Sequence, residues 1–462
     1  METKKIRVRI PPSPTGSLHV GTARTALFNE LFAKNKGGEF IMRTEDTDAA
    51  RSKSEFETNI IEGLTWLGLE WQEGPDKAGA YGPYRQSERT DLYITALKKL
   101  LAEKKAYYCE CPVGSKQCSC ADKNLDNPEL PIRLHIDPQE VVFTDHVRGE
   151  VKTHTDTFGG SFIIARSLQA PLYHLAVVVD DALMEITHVI RGEDHISNTP
   201  KHILIQRALG YPQPEYAHLP LLVDEQRKKL SKRKHNTDLL SYRDQGFLPE
   251  TMLNYLALLG WGAKDDQEFF THEELAQQFS LEKIQKGSAV FSLVKLKSMN
   301  QHYIRKLSLD ELFDRSKVFL KKAGIDVSNP DFIKAALSTE QQRVSTLGEL
   351  PDAIRFFFGK IDYPAERLLW KKLTSEDVKT RLTALIIELE KMPETNFKAE
   401  ILQKHLMNFI DENKLGRGES LWPMRVALTG LENSPGPFEV AAVLGRTETI
   451  RRLTHARDTL ST

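Results

Sequence analysis

The chain has 462 residues, of which 40% are hydrophobic and 27% are charged, and its formal net charge is −1. These are ordinary values for a globular protein, so they exclude fibrous, disordered and membrane-embedded classes. The absence of a signal-like N-terminus and of any apolar run of about 18 residues predicts a cytoplasmic protein with no membrane partner. The length predicts three or four domains, and the balanced charge gives no sign of a nucleic-acid partner by itself.

The N-terminus carries the pattern of a nucleotide-binding unit. Residues 6–10 alternate apolar and charged side chains as a strand does, and apolar residues from Val20 onward recur at helical spacing. Between them, residues 12–21 form a loop rich in proline and glycine that contains His19 and Gly21. A helix start offers unpaired N–H groups and a partial positive charge, and a glycine lets a phosphate approach the backbone closely. The alternative is a plain surface turn, which such a composition forms more often.

The next elements complete a βαβ unit. Gly37 and Gly38 end the first helix, and residues 40–43 predict a second strand. Because parallel strands need such a crossover helix, the predicted fold class is α/β, with a Rossmann-like open sheet that binds ligands at the carboxyl ends of its strands. Further helices are predicted over residues 58–67 and 90–104.

Residues 106–172 differ in character, because all four cysteines come first and short strand-like runs follow. We therefore predict an inserted domain there. The sheet is predicted to resume with strands at 175–179 and 186–190, a helix over 199–210 and a strand at 219–223. In the remainder of the chain, apolar residues recur at helical spacing, so the C-terminal third is predicted to be all-α.

A basic loop follows the last predicted strand. Six lysine or arginine residues and one acid lie between positions 225 and 235, and Lys229, Lys232 and Arg233 are among them. Taken alone, such a run is more often a solvated surface loop.

Together, the loop at residues 12–21 and the pentapeptide at residues 229–233 resemble the two signature motifs of class I aminoacyl-tRNA synthetases. The first motif reads His-Val-Gly-Thr and the second reads Lys-Leu-Ser-Lys-Arg. Over nearly its whole length the chain resembles the bacterial glutamyl-tRNA synthetase family. The stretches that carry this match are residues 9–25, 43–48, 173–194 and 421–430.

Four rival readings fit less well. Glutaminyl enzymes share the ancestry but carry a β-barrel C-terminus, and the shorter relatives that glutamylate queuosine in tRNA lack the C-terminal region altogether. Small nucleotidyltransferases use a similar first motif without the helical C-terminal third. A tRNA-binding relative with a decayed site would have lost His19, Gly21 or Lys232, and all three are present.

The resemblance implies ATP-dependent ligation of L-glutamate to tRNA(Glu) through a glutamyl-adenylate, with ATP entering as its Mg²⁺ complex. An enzyme that also glutamylates tRNA(Gln) is the alternative. A monomer is implied. The implied regions are a Rossmann-like catalytic domain at 1–105 and 173–240, an inserted α+β acceptor-stem-binding domain at 106–172, a helical stem-contact domain at 241–320 and an all-α anticodon-binding domain at 321–462.

The family's functional residues carry over onto matching positions of this chain. The implied catalytic residues are His19, Gly21, Lys229, Lys232 and Arg233. The implied glutamate-binding residues are Arg9, Ser13, Glu45, Tyr173 and Arg191. The implied ATP-binding residues are Pro12, Thr15, Gly16, His19, Gly21, Asp194 and Lys232. Arginine suits a side-chain carboxylate because its planar fork can donate two hydrogen bonds. Candidates for reading the anticodon are Arg343, Arg355 and Arg417.

The four cysteines, Cys109, Cys111, Cys118 and Cys120, lie within twelve residues. Four thiolates can hold zinc tetrahedrally. Some family members bind zinc at this point, although their second pair lies further along and often includes histidine or tyrosine. Structural zinc is therefore predicted. Unligated reduced thiols are the main alternative, and a disulfide is the less compatible one in the cytoplasm.

Overall fold

The computed structural model describes residues 5–48, 50–112, 118–230, 237–263 and 267–460. The chain divides into two compact units. The first comprises Met1–Arg243 and Pro249–Leu296, and the second comprises Asp244–Leu248 and Lys297–Thr462. Among the described residues, no helix is both long and apolar enough to cross a lipid bilayer.

Within these ranges the strands all belong to the first unit, and most of them are short. In chain order they are β1 (Arg7–Ile10), β2 (Glu39–Met42), β3 (Ala106–Tyr108), β4 (Ile132–Leu134), β5 (Glu140–Asp145), β6 (Gly149–His154), β7 (Ile163–Ser167), β8 (Ala170–Pro171), β9 (His188–Gly192), β10 (Glu215–Leu219), β11 (Leu222–Val223) and β12 (Ala289–Val290).

The helices occur in both units. In chain order they are α1 (Val20–Lys36), α2 (Ser54–Trp66), α3 (Thr90–Ala102), α4 (Tyr173–Leu183), α5 (Thr199–Leu209), α6 (Leu239–Asp244), α7 (Pro249–Leu258), α8 (His272–Gln278), α9 (Leu293–Lys306), α10 (Leu309–Lys322), α11 (Pro330–Glu340), α12 (Leu350–Ile354), α13 (Ser375–Glu390), α14 (Ala399–Glu412), α15 (Arg417–Thr429) and α16 (Pro437–Thr459).

The predicted βαβ unit is confirmed in β1, α1 and β2. β1 pairs in parallel with β2, and Arg7 lies opposite Glu39. α1 begins at Val20 and is followed by Gly37, whose φ of 62° lies in the left-handed region that glycine favours. The loop at residues 11–19 therefore leads from the carboxyl end of β1 into the start of a helix.

The sheet continues beyond this unit. β10 pairs in parallel with both β9 and β5, and the order of the four strands is β6-β5-β10-β9. The backbone N–H of Thr187, just before β9, donates to the carbonyl of Arg7 at 2.9 Å, which joins β9 to β1.

The predicted strand at 175–179 is wrong, because these residues lie inside α4. All five are buried. A continuous apolar run has no periodicity, so its pattern does not distinguish a buried helix from a buried strand. As a consequence Tyr173 lies in the first turn of a helix and not at the end of a strand.

Other predicted elements agree more closely. α3 begins at the predicted residue, and α5 ends at Gly210, whose φ is 72°. α2 begins at Ser54 rather than at Thr58, because its first turn contains a single apolar residue, Phe56, which shows no period by itself. Pro220 has no backbone N–H to donate, and the predicted strand at 219–223 is divided there between β10 and β11.

Residues 106–172 contribute to two sheets. β3, β4, β7 and β8 form an antiparallel sheet of their own. The hairpin of β5 and β6 instead pairs with β10. It therefore extends the sheet that also contains β9. Strand-like runs in a sequence do not show which sheet each strand joins.

The described residues of the second unit form helices joined by turns and loops, with no strand, which confirms the all-α prediction for the C-terminal third. Its core is built from apolar side chains on successive helices, including Leu312, Leu337, Leu382, Leu406 and Val440, each fully buried. The matched stretch at residues 421–430 therefore lies on α15 and its C-terminal end.

Candidate active site

A cleft of about 480 Å³ lies in the first unit near the carboxyl ends of β1, β2, β9 and β10. Every predicted catalytic, glutamate-binding or ATP-binding residue that the structure describes lines this cleft. These residues are Arg9, Pro12, Ser13, Thr15, Gly16, His19, Gly21, Glu45, Tyr173, Arg191, Asp194 and Lys229. Lys232 and Arg233 lie outside the described residues.

The start of α1 forms one wall of the cleft. Nδ1 of His19 accepts a hydrogen bond from the backbone N–H of Gly21 at 2.9 Å. A neutral ring whose Nδ1 accepts has its proton on Nε2, so His19 can donate a hydrogen bond. A Cβ at Gly21 would lie 3.1 Å from that Nδ1, so glycine keeps the histidine in this position. The wall therefore combines an imidazole donor with the N–H groups of a helix start.

Both described ends of the basic loop are attached near this wall. The backbone N–H of Leu230 bonds to β11 at 3.1 Å, and the backbone N–H of Val20 bonds to the carbonyl of Thr237 at 2.9 Å. Nζ of Lys229 lies 3.5 Å from a carboxylate oxygen of Asp194. The fold thus brings the start of the second motif, and Thr237 further along the chain, close to the first motif.

Arg9 is held in the cleft by Asp181 on α4. Its Nε and Nη2 donate to the two carboxylate oxygens at 3.1 and 3.3 Å, and only 1% of Arg9 is exposed. Its remaining nitrogen, Nη1, is buried and has no hydrogen-bond partner in the part of the chain that the structure describes. Because buried N–H groups are nearly always paired in proteins, Nη1 is a donor for a bound ligand.

Arg43 links the acids that surround Arg9. Its Nη1 donates to Asp181 at 2.8 Å, its Nη2 donates to Glu45 at 3.3 Å, and its Nε lies 3.6 Å from Asp180. Burial would lower the pKa of Arg43, but the three carboxylates outweigh burial and raise that pKa. Burial likewise would raise the pKa of Asp181, whereas the two arginines hold it below its usual value. Arg43 and Asp181 therefore stay charged.

Glu45 and Tyr173 titrate outside their usual ranges. Burial raises the pKa of Glu45 to about 7, although Arg43 and Arg9 act in the opposite direction. Burial, with the charge of Glu45, raises the pKa of Tyr173 to about 12. The phenol therefore keeps its proton, and it lies 3.4 Å from Nδ1 of His195.

Arg191, near the end of β9, is a buried cation, and none of its hydrogen-bond partners among the described residues is a carboxylate. Its Nε donates to Nε2 of His218 at 3.2 Å, and its Nη1 donates to Nδ1 of His202 at 3.3 Å. Its Nη2 donates to Oγ1 of Thr199 at 2.7 Å and to the carbonyl of His195 at 3.4 Å. Burial lowers the pKa of Arg191.

The histidines around Arg191 are uncharged. Burial lowers the pKa to about 4 for His174 and His195, well below the usual value for His202, and less strongly for His218. Because Nδ1 of His202 accepts from Arg191, the proton of His202 lies on Nε2, where it can be donated to Nδ1 of His174 at 3.1 Å. The positive charge of Arg191 is therefore uncompensated by its direct neighbours.

The arrangement suits a small molecule with one anionic end and one cationic end. Arg9 has an unused buried donor, and Arg191 presents a guanidinium that lacks a carboxylate partner. Glu45 supplies a carboxylate for a cation in the same cleft. The helix-start wall with His19 suits a phosphate.

Several residues that build the site were not predicted from the sequence. Arg43 and Asp181 lie in stretches that carried the family match, so their charges at the ends of apolar runs were a usable signal. His202 and His218 lie inside α5 and β10 and carried no motif.

The four cysteines bring their thiols together. Sγ of Cys118 lies 3.4 Å from that of Cys109 and 3.5 Å from that of Cys111, and Sγ of Cys120 lies 3.5 Å from that of Cys111. All four are free thiols within 4.8 Å of one another. Hydrogen bonding among the thiols raises the pKa of Cys111 to about 12. Burial would raise the pKa of Cys118, but hydrogen bonds from the Cys120 backbone and the Tyr107 hydroxyl lower it to about 6.

The three arginines predicted to read the anticodon belong to the second unit. Each forms an ion pair with a nearby acid, so these contacts do not rank them. The pairs are Arg343 with Glu340 at 3.0 Å, Arg355 with Asp352 at 3.2 Å and Arg417 with Asp411 at 2.6 Å.

Comparisons with known proteins match the chain along its length. The family model for the catalytic domain of class I tRNA synthetases (E and Q) matches residues 5–117 and 115–298, and a model for an anticodon binding domain matches residues 304–457. A glutamate–tRNA ligase of Dehalococcoides mccartyi is 42% identical, and the match covers 99% of this chain and 98% of the relative. Glutamate–tRNA ligase 2 of Caldanaerobacter subterraneus subsp. tengcongensis is 39% identical, with 97% and 98% covered.

Solved structures are similar as well. The crystal structure of a glutamate tRNA ligase from Elizabethkingia meningosepticum, in complex with its amino acid, gives a TM-score of 0.88 at 30% identity, with 99% of this chain and 100% of that chain covered. The glutamate-tRNA synthetase of Elizabethkingia anophelis gives a TM-score of 0.86 at 31% identity, with 98% and 100% covered.

Proposed function

The chain belongs to the glutamate–tRNA ligases, a branch of the class I aminoacyl-tRNA synthetases, and on this premise we propose that the cleft of the first unit carries out both steps of glutamate ligation. The observation that carries the proposal is the pair of buried arginines beside Glu45. Arg9 keeps an unused donor, and Arg191 has no carboxylate partner among its hydrogen bonds. Glutamate brings a side-chain carboxylate for these donors and an ammonium for Glu45. Glutamine lacks the charge and would leave the guanidiniums poorly paired.

The first step joins glutamate to AMP. An oxygen of the α-carboxylate attacks the α-phosphorus of ATP, the bond from that phosphorus to the bridging oxygen breaks, and pyrophosphate leaves with the bonding electrons. Pro12, Thr15, Gly16 and Asp194 line the place of the nucleotide. ATP enters as its Mg²⁺ complex.

Charge on the phosphates is met by groups of this chain. His19 donates from Nε2, and the start of α1 adds its N–H groups and its partial positive charge. Lys232 neutralises the departing pyrophosphate, and Lys229 and Arg233 support it. Gly21 keeps the backbone accessible at this point.

The second step transfers the glutamyl group. A ribose hydroxyl of the terminal adenosine of tRNA(Glu) attacks the carbonyl carbon of the adenylate and gives its proton to the departing phosphate, and AMP leaves with the electrons of the carbon–oxygen bond. Throughout, Arg9 and Arg191 bind the side-chain carboxylate, Glu45 binds the ammonium, and Tyr173 and Ser13 complete the pocket wall.

Aminoacylation assays test this function. The protein is expected to charge a tRNA(Glu) transcript with glutamate and not with glutamine, and to catalyse glutamate-dependent pyrophosphate exchange. Exchange measured with and without tRNA shows whether activation needs bound tRNA. Charging with glutamine but not with glutamate would contradict the proposal. A tRNA(Gln) transcript in the same assay tests the alternative of a broader tRNA range, which no contact in the described ranges favours.

The remaining assignments extend this proposal to the whole chain. We place anticodon reading in the second unit, where the anticodon-domain match lies, and acceptor-stem binding in residues 106–172. The four-region division predicted from the sequence is retained. A cytoplasmic monomer is the proposed working form, and light scattering of the purified protein tests its mass.

The KM for glutamate is expected to depend on pH through Glu45. Its pKa of about 7 means that the carboxyl becomes protonated, and loses its attraction for the ammonium, as the pH falls through neutrality. We expect the KM to be about tenfold higher at about pH 6 than at about pH 8, with little change in the KM for ATP. Steady-state pyrophosphate exchange measures both constants.

The variant Glu45→Gln is the control for this pH effect. It has no titratable group at that position, so its KM for glutamate should be high and nearly constant over the same range. A wild-type KM that stays flat between these pH values would show that Glu45 is already ionised at the lower pH.

We also propose that the cysteine cluster holds one structural zinc ion. Four thiols that lie within 4.8 Å of one another match the donor set of such sites, and zinc there cross-links the chain without taking part in the reaction. Protein purified without chelator is expected to contain about one equivalent of zinc. Elemental mass spectrometry measures this metal content.

Variants of the cluster sharpen this prediction. Cys118→Ser should lose most of the zinc and unfold at a lower temperature, whereas Ser119→Ala, which changes a neighbouring side chain that is not a ligand, should keep both. Well under one equivalent in the wild-type protein would favour reduced, unligated thiols.

A further inference from the structure

Asp145, the last residue of β5, lies one side chain away from Arg191. Its Oδ1 accepts the backbone N–H groups of Val147, Arg148 and His218 at 3.0, 2.8 and 3.3 Å. Its Oδ2 accepts from Nδ1 of His218 at 2.6 Å. Both the aspartate and the histidine side chains are fully buried. The hydrogen bonds that this carboxylate accepts therefore come from the turn that follows it and from His218.

The contacts of His218 fix where its proton lies. Nε–H of Arg191 donates to Nε2 of His218, so Nε2 carries a lone pair and no proton. The single proton of the neutral ring must then lie on Nδ1, which is the nitrogen that Asp145 binds. An ionised carboxylate can only accept hydrogen bonds, so it enforces this tautomer.

On the basis of the proposed function, in which Arg191 binds the glutamate side chain, we infer that Asp145 and His218 are positioning residues for that arginine. The carboxylate selects the imidazole tautomer, and the imidazole holds Nε of the guanidinium in place. Thr199 and His202 hold the other two nitrogens.

This relay differs from the direct ion pair that holds Arg9. Asp181 takes two N–H groups of Arg9 and also neutralises its charge. Asp145 is separated from Arg191 by a neutral imidazole. It therefore orients the guanidinium without accepting any of its hydrogen bonds. A guanidinium held in this way keeps its capacity to bind a carboxylate of the substrate.

The variant Asp145→Asn tests the relay. An asparagine oxygen can still accept the three backbone N–H groups, so the turn after β5 keeps its hydrogen bonds. The amide NH₂ then faces Nδ1 of His218 and forces the proton of the ring onto Nε2, where it opposes Nε–H of Arg191. We expect the KM for glutamate to rise by about 10- to 100-fold, with the KM for ATP and the melting temperature close to those of the wild type.

A matched control lies just after β6, the strand that pairs with β5. Asp156 also pairs with a histidine, because its carboxylate lies 3.0 Å from Nδ1 of His154, but this pair is exposed and lies apart from the residues that line the cleft. Asp156→Asn should leave the KM for glutamate unchanged. An unchanged KM in Asp145→Asn as well would overturn the relay.

A second substitution separates the relay from a merely structural role. His218→Phe fills the same place with a ring that has no nitrogen, so residue 145 has no hydrogen bond through which to act on Arg191. In this background Asp145→Asn should raise the KM by less than about twofold, although it raises the KM strongly in the wild-type background. Equal effects in both backgrounds would contradict the inference.

The two proposals fail in different ways. A wild-type protein that charges no tRNA with glutamate contradicts the proposed function itself. A wild-type protein that charges normally, together with an Asp145→Asn protein of normal KM, contradicts only the relay.

Discussion

Replacing Arg191 by glutamine is expected to lower kcat/KM for glutamate by about 10²–10³-fold, because a buried charge-assisted pair with the substrate is lost at a cost of about 3–4 kcal/mol. Arg191 donates to two histidines, a hydroxyl and a carbonyl, and none of these partners neutralises it. We therefore propose the side-chain carboxylate of glutamate as its counter-charge in the complex. Glutamine at this position keeps an amide donor for Thr199 but has no charge to offer.

The measurement is glutamate-dependent pyrophosphate exchange in the presence of tRNA(Glu). We expect most of the loss to fall on the KM for glutamate, because the interaction is made with the bound substrate before the chemical step. Arg207→Gln, which changes an exposed arginine on α5, is the matched control and should behave like the wild type. A KM for glutamate within about threefold of the wild-type value in Arg191→Gln would show that Arg9 alone binds the carboxylate.

Local features of the site could be predicted from the sequence. The loop that ends at His19, the helix that starts at Val20 and the glycine at position 37 are short-range signals, because caps and turns are set by the residues that form them. The family motifs predict that Arg9 and Arg191 line one pocket. The structure places both in the same cleft.

The partners of those arginines could not be predicted in the same way. Asp181 reaches Arg9 from a helix 172 residues later in the chain. The apolar run of that helix has no period, so the sequence pattern predicts a strand there. Asp145 reaches His218 across the pairing of β5 with β10, which joins a hairpin of the predicted insertion to the sheet. Contacts of this kind depend on which strands become neighbours, and no local pattern encodes that choice.

The basic loop that contains Lys232 is attached to the fold on both sides. Lys232 lies outside the described residues, but the backbone bonds of Leu230 and Thr237 attach the loop on both sides of it to β11 and to the start of α1. Because these anchors lie close to the start of α1, we propose that Lys232 acts on the phosphates that this helix start would bind. A lysine there supplies positive charge where pyrophosphate departs.

Replacing Lys232 by alanine is accordingly expected to lower the rate of glutamate-dependent pyrophosphate exchange by about 10²–10³-fold, since the loss of one well-placed donor to a developing negative charge has that size. The effect should fall on kcat and not on the KM for glutamate, because the charge forms in the transition state and the amino acid binds to other residues. The melting temperature should stay close to the wild-type value. Lys228→Ala, an exposed lysine of the same basic loop, is the matched control. Normal exchange by the Lys232→Ala protein would remove the second motif from the chemistry and leave His19 and the helix start as the phosphate-binding groups.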